Sequence, residues 1–255
     1  MKTQTPNLTE ICTNLQAQLI KGDLRAMRDF IDESVSLYNE GALPLINMVL
    51  SNPSNLKMLI SKTLNCQVAF ETVRANSYCH ENGFHKIVLL QGKNFKLRLH
   101  HFGATGKAAM ENVHDHRWPF ASSILKGNLH MEMFKVADEP ENTELLLHHV
   151  YHADKSSGAY QAHLEGVAAL KRVKRVCFSE GTTYLLMPDA LHRIVNDDQQ
   201  ESITMILTGK PVSNTCNLYA RRPLTVEEKQ TPCYTNEVLR EQLNLISELI
   251  YPQHN

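Results

Sequence analysis

Val113-His114-Asp115-His116-Arg117-Trp118-Pro119-Phe120-Ala121-Ser122-Ser123-Ile124-Leu125-Lys126-Gly127-Asn128-Leu129 is the stretch on which the fold turns. Alternate residues of a strand point to the same face, so His114 and His116 can offer two imidazoles to one point. Residues 120–126 and 129–136 each read as a strand, and Gly127-Asn128 between them reads as a hairpin turn.

Outward from this stretch the period of two persists. Residues 85–90 and 95–102 read as strands separated by the turn Gln91-Gly92-Lys93-Asn94. Residues 67–73 read as an earlier strand, and 143–152, 173–178, 182–187, 191–195 and 202–208 as later ones. Many short strands without alternating helices argue for a sandwich or barrel. Residues 8–65 have helical spacing instead, with Leu15, Leu19, Leu24, Met27 and Ile31 in sequence. Gly22-Asp23 marks a turn there, and Asn52-Pro53-Ser54 marks a second with a helix cap. Helical spacing returns at 235–250. Residues 154–171, with Ser156-Ser157-Gly158 and Gly166, interrupt the strands and suggest a lid or a disordered insertion. The expected organisation is a helical cover over 1–65, a barrel over 66–210 and a C-terminal extension with a helix over 211–255.

The 255 residues carry a formal net charge of −1, which gives no electrostatic footprint for nucleic acid or an acidic membrane. No apolar run approaches the ~20 residues of a membrane span. Met1-Lys2-Thr3-Gln4 leads into a polar stretch rather than a secretion leader, and none of the six cysteines forms a C-x-x-C pair. A cytoplasmic protein is therefore expected, with Cys177 and Cys216 filling core rather than attacking substrate. The thirteen histidines are the anomaly of composition, and several are paired: His100-His101, His114-x-His116 and His148-His149. Histidine is the commonest metal ligand.

A third histidine completes a pattern. Gly181 opens a strand-like run that ends at Pro188, with His192 and Asn196 beyond it. Gly106…His114-x-His116…Gly127 followed by Gly181…Pro188…His192…Asn196 resembles the two motifs of the cupin superfamily. Phe120 stands where that family usually has a Glu, so the resemblance implies three histidines without a carboxylate. A closer resemblance is to the thiol dioxygenases, cysteine dioxygenase among them. It is carried by Val113–His116, by Leu125-Lys126-Gly127-Asn128-Leu129 and by Leu191-His192-Arg193, with similar order and spacing over 95–210. It implies a mainly β fold: a cupin-type antiparallel β-barrel (double-stranded β-helix) with N-terminal and C-terminal helices. It also implies one divalent metal ion on His114, His116 and His192, with Fe(II) as the family's metal. Imidazole also suits Zn, Ni and Cu, and Mn is a further candidate.

The departures bear on substrate. His80, in Tyr78-Cys79-His80, stands where that family carries a carboxylate-binding Arg. Phe120 or Ala121 stands at its crosslinking Cys, and Thr208 or a neighbour at its catalytic Tyr. Arg98, Arg117 and Arg193 are the candidates to hold a substrate carboxylate, because a guanidinium forks onto it. Arg117 and Arg193 directly follow metal-ligand candidates and so point away from the metal on a regular strand. Arg98 is the first choice. His101 shares a strand face with Leu97 and Leu99 and is a candidate fourth ligand or proton shuttle. Arg98 and His101 have opposite parity, so one of them, not both, is expected to reach the cavity.

Three functions fit these readings. The first is a mononuclear non-heme iron oxygenase acting on a small amino acid, thiol or related metabolite, with dioxygen as co-substrate. The second is a zinc or other-metal cupin with non-oxidative chemistry, an isomerase or a bond-forming biosynthetic enzyme. The third is a cupin that binds a small molecule without catalysis; the complete histidine set argues against it. The oligomeric state is not legible in the sequence.

Overall fold

The computed structural model describes residues 7–80, 82–103, 110–139, 141–153, 160–195, 201–223 and 233–250. Five helices come first: α1 (Leu8–Lys21), α2 (Leu24–Tyr38), α3 (Leu43–Ser51), α4 (Pro53–Asn65) and α5 (Gln67–Asn76). Their ends follow local chemistry. Gly22 takes φ 73° to close α1, and the Asp23 side chain accepts from the Ala26 N–H to open α2. Asn52 accepts from the N–H groups of Ser54 and Asn55, with Pro53 in the first turn of α4.

The strand expected over 67–73 is a correction: these residues lie in α5. Val68, Phe70 and Thr72 alternate like a strand, but Phe70 and Val73 are the residues buried, and Val68 is 77 % exposed. A spacing of three is the helical stripe, and packing against the neighbouring strand decides it.

The strands are β1 (Tyr78–Cys79), β2 (Phe84–Gln91), β3 (Lys96–Phe102), β4 (Val113–His114), β5 (Phe120–Lys126) and β6 (Asn128–Val136). Then follow β7 (Glu144–Ala153), β8 (Tyr160–Ser179), β9 (Thr183–Leu186), β10 (His192–Val195), β11 (Ser202–Thr208) and β12 (Thr215–Ala220), and α6 (Asn236–Leu249) is the last element among the described residues. One sheet has the order β1-β2-β3-β11-β5-β9; the other closes as β10-β4-β12-β7-β8-β6. Every pairing is antiparallel. The fold is thus mainly β, of the cupin type, with helices from both termini.

Closure of the second sheet depends on β8. Its first part pairs with β7 from Ala153↔Tyr160 to Glu144↔Leu170, and from Leu170 onward it pairs with β6. Residues 160–171, read above as part of an insertion, are therefore strand; residues 154–159 lie outside the described residues.

Gly127-Asn128 is a second correction. It is not a hairpin turn, because β5 pairs with β9 and β11 while β6 pairs with β8 and β10. The chain changes sheets there. Gly127 has φ 73°, and a Cβ on it would lie 2.3 Å from the Glu201 carbonyl oxygen. Only glycine allows that corner to close.

The first sheet has two different faces. Ile87, Leu97, Leu99, Ala121, Ile203, Met205 and Leu207 are fully buried against helix residues such as Leu15, Ile31, Leu43 and Leu243. The other face meets the second sheet through Phe84, Phe102, Phe120, Ile124, Leu129 and Met131. The candidate site lies in this second interface. Among the described residues no helix is long and apolar enough to cross a membrane.

Candidate metal centre

His114 ends β4 and His192 begins β10, and the two are directly opposite in the antiparallel register. His116 lies just past β4, where its N–H donates to the Pro188 carbonyl (3.0 Å). Asp115 between them points the other way. It accepts from the Asn217 backbone N–H at 2.6 Å and from the Asn217 side chain, which fastens the segment to β12. Burial raises the Asp115 carboxyl pKa, and the two Asn217 hydrogen bonds oppose that rise.

The result is a cluster in which ligand atoms of His114, His116 and His192 all lie within 4.8 Å of one another. Ring centroids are 4.6 Å apart for His114–His192, 4.9 Å for His114–His116 and 5.1 Å for His116–His192. Nδ1 of His114 is 2.9 Å from the Asn112 carbonyl, and Nδ1 of His192 is 2.9 Å from the Ala190 carbonyl. A carbonyl can only accept, so each Nδ1 carries the proton and leaves the Nε2 lone pair for another partner. Metal-binding histidines are fixed in this way. Burial lowers the His192 pKa to about 3, with the nearby His114 adding to the shift. Burial, then His114 and His192, also holds the His116 pKa well below its ordinary value. Both rings are neutral at physiological pH, the form that ligates a metal.

The cluster opens on a cavity between the sheets with about 530 Å³ of space, open mouth included. Trp118 stacks on His116 (6.0 Å, 24°), and Phe120 meets the same ring edge-on (5.0 Å, 87°). Both therefore wall the site, and Phe120 leaves no carboxylate in that ligand position.

Arg98 lines the cavity, with its guanidinium carbon 5.7 Å from the Trp118 ring centre. His101 does not line it. It lies 3 % exposed on the opposite face of β3, with Nε2 2.7 Å from Glu201 and Nδ1 3.2 Å from Gln242 of α6. The expectation that the Leu97–Leu99 face looks into the barrel is thus corrected: helices cover that face. Arg193 also points away from the cavity, into bonds with Glu132 and Glu144. Gly106 and Asn196 lie outside the described residues.

Three cavity residues were not singled out from the sequence. His100 has a buried Nε2 without a hydrogen-bond partner among the described residues, and burial, then Lys86 and Arg98, push its pKa well down. The parity of β3 could have found it, because His100 and Arg98 share a face. Tyr184 is a half-buried phenol, and desolvation pushes its pKa up to about 12. Glu111 is the one carboxylate lining the cavity among the described residues, and it accepts from the Ile194 N–H at 3.1 Å. Nothing in the local sequence marks Tyr184 or Glu111.

No family model and no curated sequence matches this chain. Solved structures do resemble it. An RmlC-like cupin from Shewanella frigidimarina is 14 % identical, with a TM-score of 0.31 over 54 % of this chain and 85 % of that one. Hydroquinone 1,2-dioxygenase from Sphingomonas sp. TTNP3, with 4-hydroxybenzoate bound, is 12 % identical, with a TM-score of 0.32 over 56 % and 73 %. A cupin superfamily protein from Desulfitobacterium hafniense is 10 % identical, with a TM-score of 0.30 over 51 % and 81 %. At these TM-scores the strand order described above, and not the likeness, carries the fold.

Proposed function

We propose that the chain is a metal-dependent enzyme in which His114, His116 and His192 hold one divalent ion, iron(II), for oxidation of a small anionic metabolite by dioxygen. The observation that supports it is the convergence of three imidazoles within 4.8 Å, two of them with Nδ1 held by backbone carbonyls. The donor set fits the ion: His116 and His192 are held neutral by burial, so their lone pairs are available. Iron is preferred because the ligand segments resemble those of the thiol dioxygenases. Held by three imidazoles, iron(II) supplies open coordination positions and redox chemistry with dioxygen.

The chain's own residues supply the rest. Arg98 binds an anionic group of the substrate through its guanidinium fork, steadied against Trp118. Phe120, Leu129 and Ile206 line the cavity and exclude water from it. Neutral His100, whose Nε2 has no hydrogen-bond partner among the described residues, orients a polar group of the substrate by hydrogen bonding. Thr208 accepts from the Lys96 N–H (2.9 Å) and supplies no phenol; Tyr184 from β9 is the phenol of this cavity. That difference argues against cysteine itself as substrate.

The test is metal analysis of the purified protein, together with dioxygen uptake over a panel of amino acids, thiols and other small anions. One iron per chain and substrate-dependent uptake are expected. In His192→Ala, metal affinity should fall about 100-fold or more, since loss of even an outer-sphere partner costs 10–100-fold. Circular dichroism should be unchanged. Full metal content and full turnover in His192→Ala would overturn the assignment. Tightly held zinc with no uptake would replace the oxygenase by non-oxidative chemistry.

A further inference from the structure

A second cavity adjoins the first and has a different lining. It holds about 770 Å³, open mouth included, and its wall contains Lys86, Lys96, Arg98, Tyr78, Val88 and Cys233. Lys86 lies on β2 and the other two cations on β3, where Lys86 pairs with His100, Val88 with Arg98 and Gln91 with Lys96. Up to the β-bulge after Val88 the even-numbered side chains of β2, Phe84, Lys86 and Val88, therefore share a face with Lys96, Arg98 and His100 of β3, the face that holds the metal centre. Arg98 lines both cavities.

The chemistry of this wall is one-sided. Among the described residues no carboxylate lines it, and neither Lys86 nor Lys96 has a carboxylate ion-pair partner. Lys86 Nζ donates to the Tyr78 hydroxyl at 2.8 Å and lies 5.1 Å from the Tyr78 ring centre. Burial, then the charges of Arg98 and Lys96, press the Lys86 pKa well down, as expected of an ammonium packed among cations. Two lysines facing one space with no carboxylate partner among the described residues repel each other, a cost that an anion between them would offset.

We propose that this cavity is a phosphate subsite and that the substrate of the histidine site is a phosphorylated small molecule. Its phosphate sits among Lys86, Lys96 and Arg98 while its other end passes Arg98 towards the three histidines. A phosphate monoester fits three cations better than a carboxylate does. It carries about −1.5 to −2 charges and three acceptor oxygens, against one charge and two oxygens. The subsite stands on the second cavity alone; the claim about substrate rests on the metal reading given above.

Titration of inorganic phosphate into the full-length chain by calorimetry tests it, with malonate as the carboxylate control. Three proteins are compared: metal-free wild type, Lys96→Ala and His192→Ala. Wild type should bind phosphate saturably and in preference to malonate. Lys96 is exposed, so Lys96→Ala should fold normally and bind phosphate about tenfold more weakly, the loss of one charge-assisted hydrogen bond. His192→Ala should bind phosphate as wild type does. Absence of saturable binding, preference for malonate, or unchanged affinity in Lys96→Ala would each overturn the subsite. Loss of phosphate binding in His192→Ala would place the anion at the histidines and overturn it too. Phosphate binding by a wild-type protein that takes up no metal would leave the subsite standing and remove the metal reading.

Discussion

Leu97, Leu99 and His101 on one face of β3 meet helices, while Arg98, His100 and Phe102 on the other meet the cavity. Neighbouring residues thus serve different ends. On the helix side the work is apolar burial: Leu97 and Leu99 are fully buried, and the one polar member, His101, spends both ring nitrogens on Glu201 and Gln242. On the cavity side polar atoms are held ready instead, including the His100 Nε2, which has no hydrogen-bond partner among the described residues. In this fold the most hydrophobic face of a strand is not the pocket face. It is the face that binds the sheet to its helical cover.

Substitutions along β3 would break this comparison if it is wrong. The largest effect should come from Leu99→Ala, which leaves a cavity under the helices. Destabilisation of about 2–5 kcal/mol is expected by urea unfolding, with metal content per folded chain unchanged. A loss of metal without a loss of stability would reverse the assignment of faces.

The adjacent histidines sharpen it at smaller scale. His101→Ala should cost about 1–3 kcal/mol, because Glu201 loses a buried hydrogen-bond partner. His100→Ala should change stability by less than about 1 kcal/mol while lowering turnover, since its Nε2 has no partner to lose. Equal effects of the two on both measurements would deny the division.

The second sheet offers the smallest test. On β10, His192 and Ile194 face the cavity, and Arg193 turns away to bond Glu132 (2.8 Å) and, through two nitrogens, Glu144 (2.8 and 3.0 Å). For Glu132, burial would raise the carboxyl pKa, but the bonds from Arg193 and Arg172 outweigh it and hold the pKa low. The Arg193 bonds hold Glu144 low as well, against some opposition from burial. A depressed carboxyl pKa stabilises the fold above the ordinary value of 4.5 and ceases to do so as pH falls through the folded value. Urea stability should therefore fall as pH is lowered below about 4.5. Glu144 is partly exposed, so Glu144→Gln should remove only a part of this acid limb, about 1 kcal/mol or less. An acid limb identical in Glu144→Gln would show that the ion pair contributes nothing.

What the sequence by itself determined was local and periodic. The alternation at 113–116 placed His114 and His116 together and turned Asp115 away, because a strand's side chains alternate whatever surrounds it. The strands at 120–126 and 202–208 and the helix near 235–250 were legible for the same reason, as period alone specifies them. Only the tertiary structure decided which partner each face met. Helices over the first sheet assigned His101 to the core and His100 to the cavity, and packing on β2 made a helix of 67–76. The approach of the Glu201 backbone made Gly127 a corner between sheets. The second cavity, with Lys86 and Lys96 beside Arg98, exists only once β2 and β3 are in register. Periodicity records that a residue has a face; it carries no information about what packs there, which is set by contacts between residues far apart in the chain.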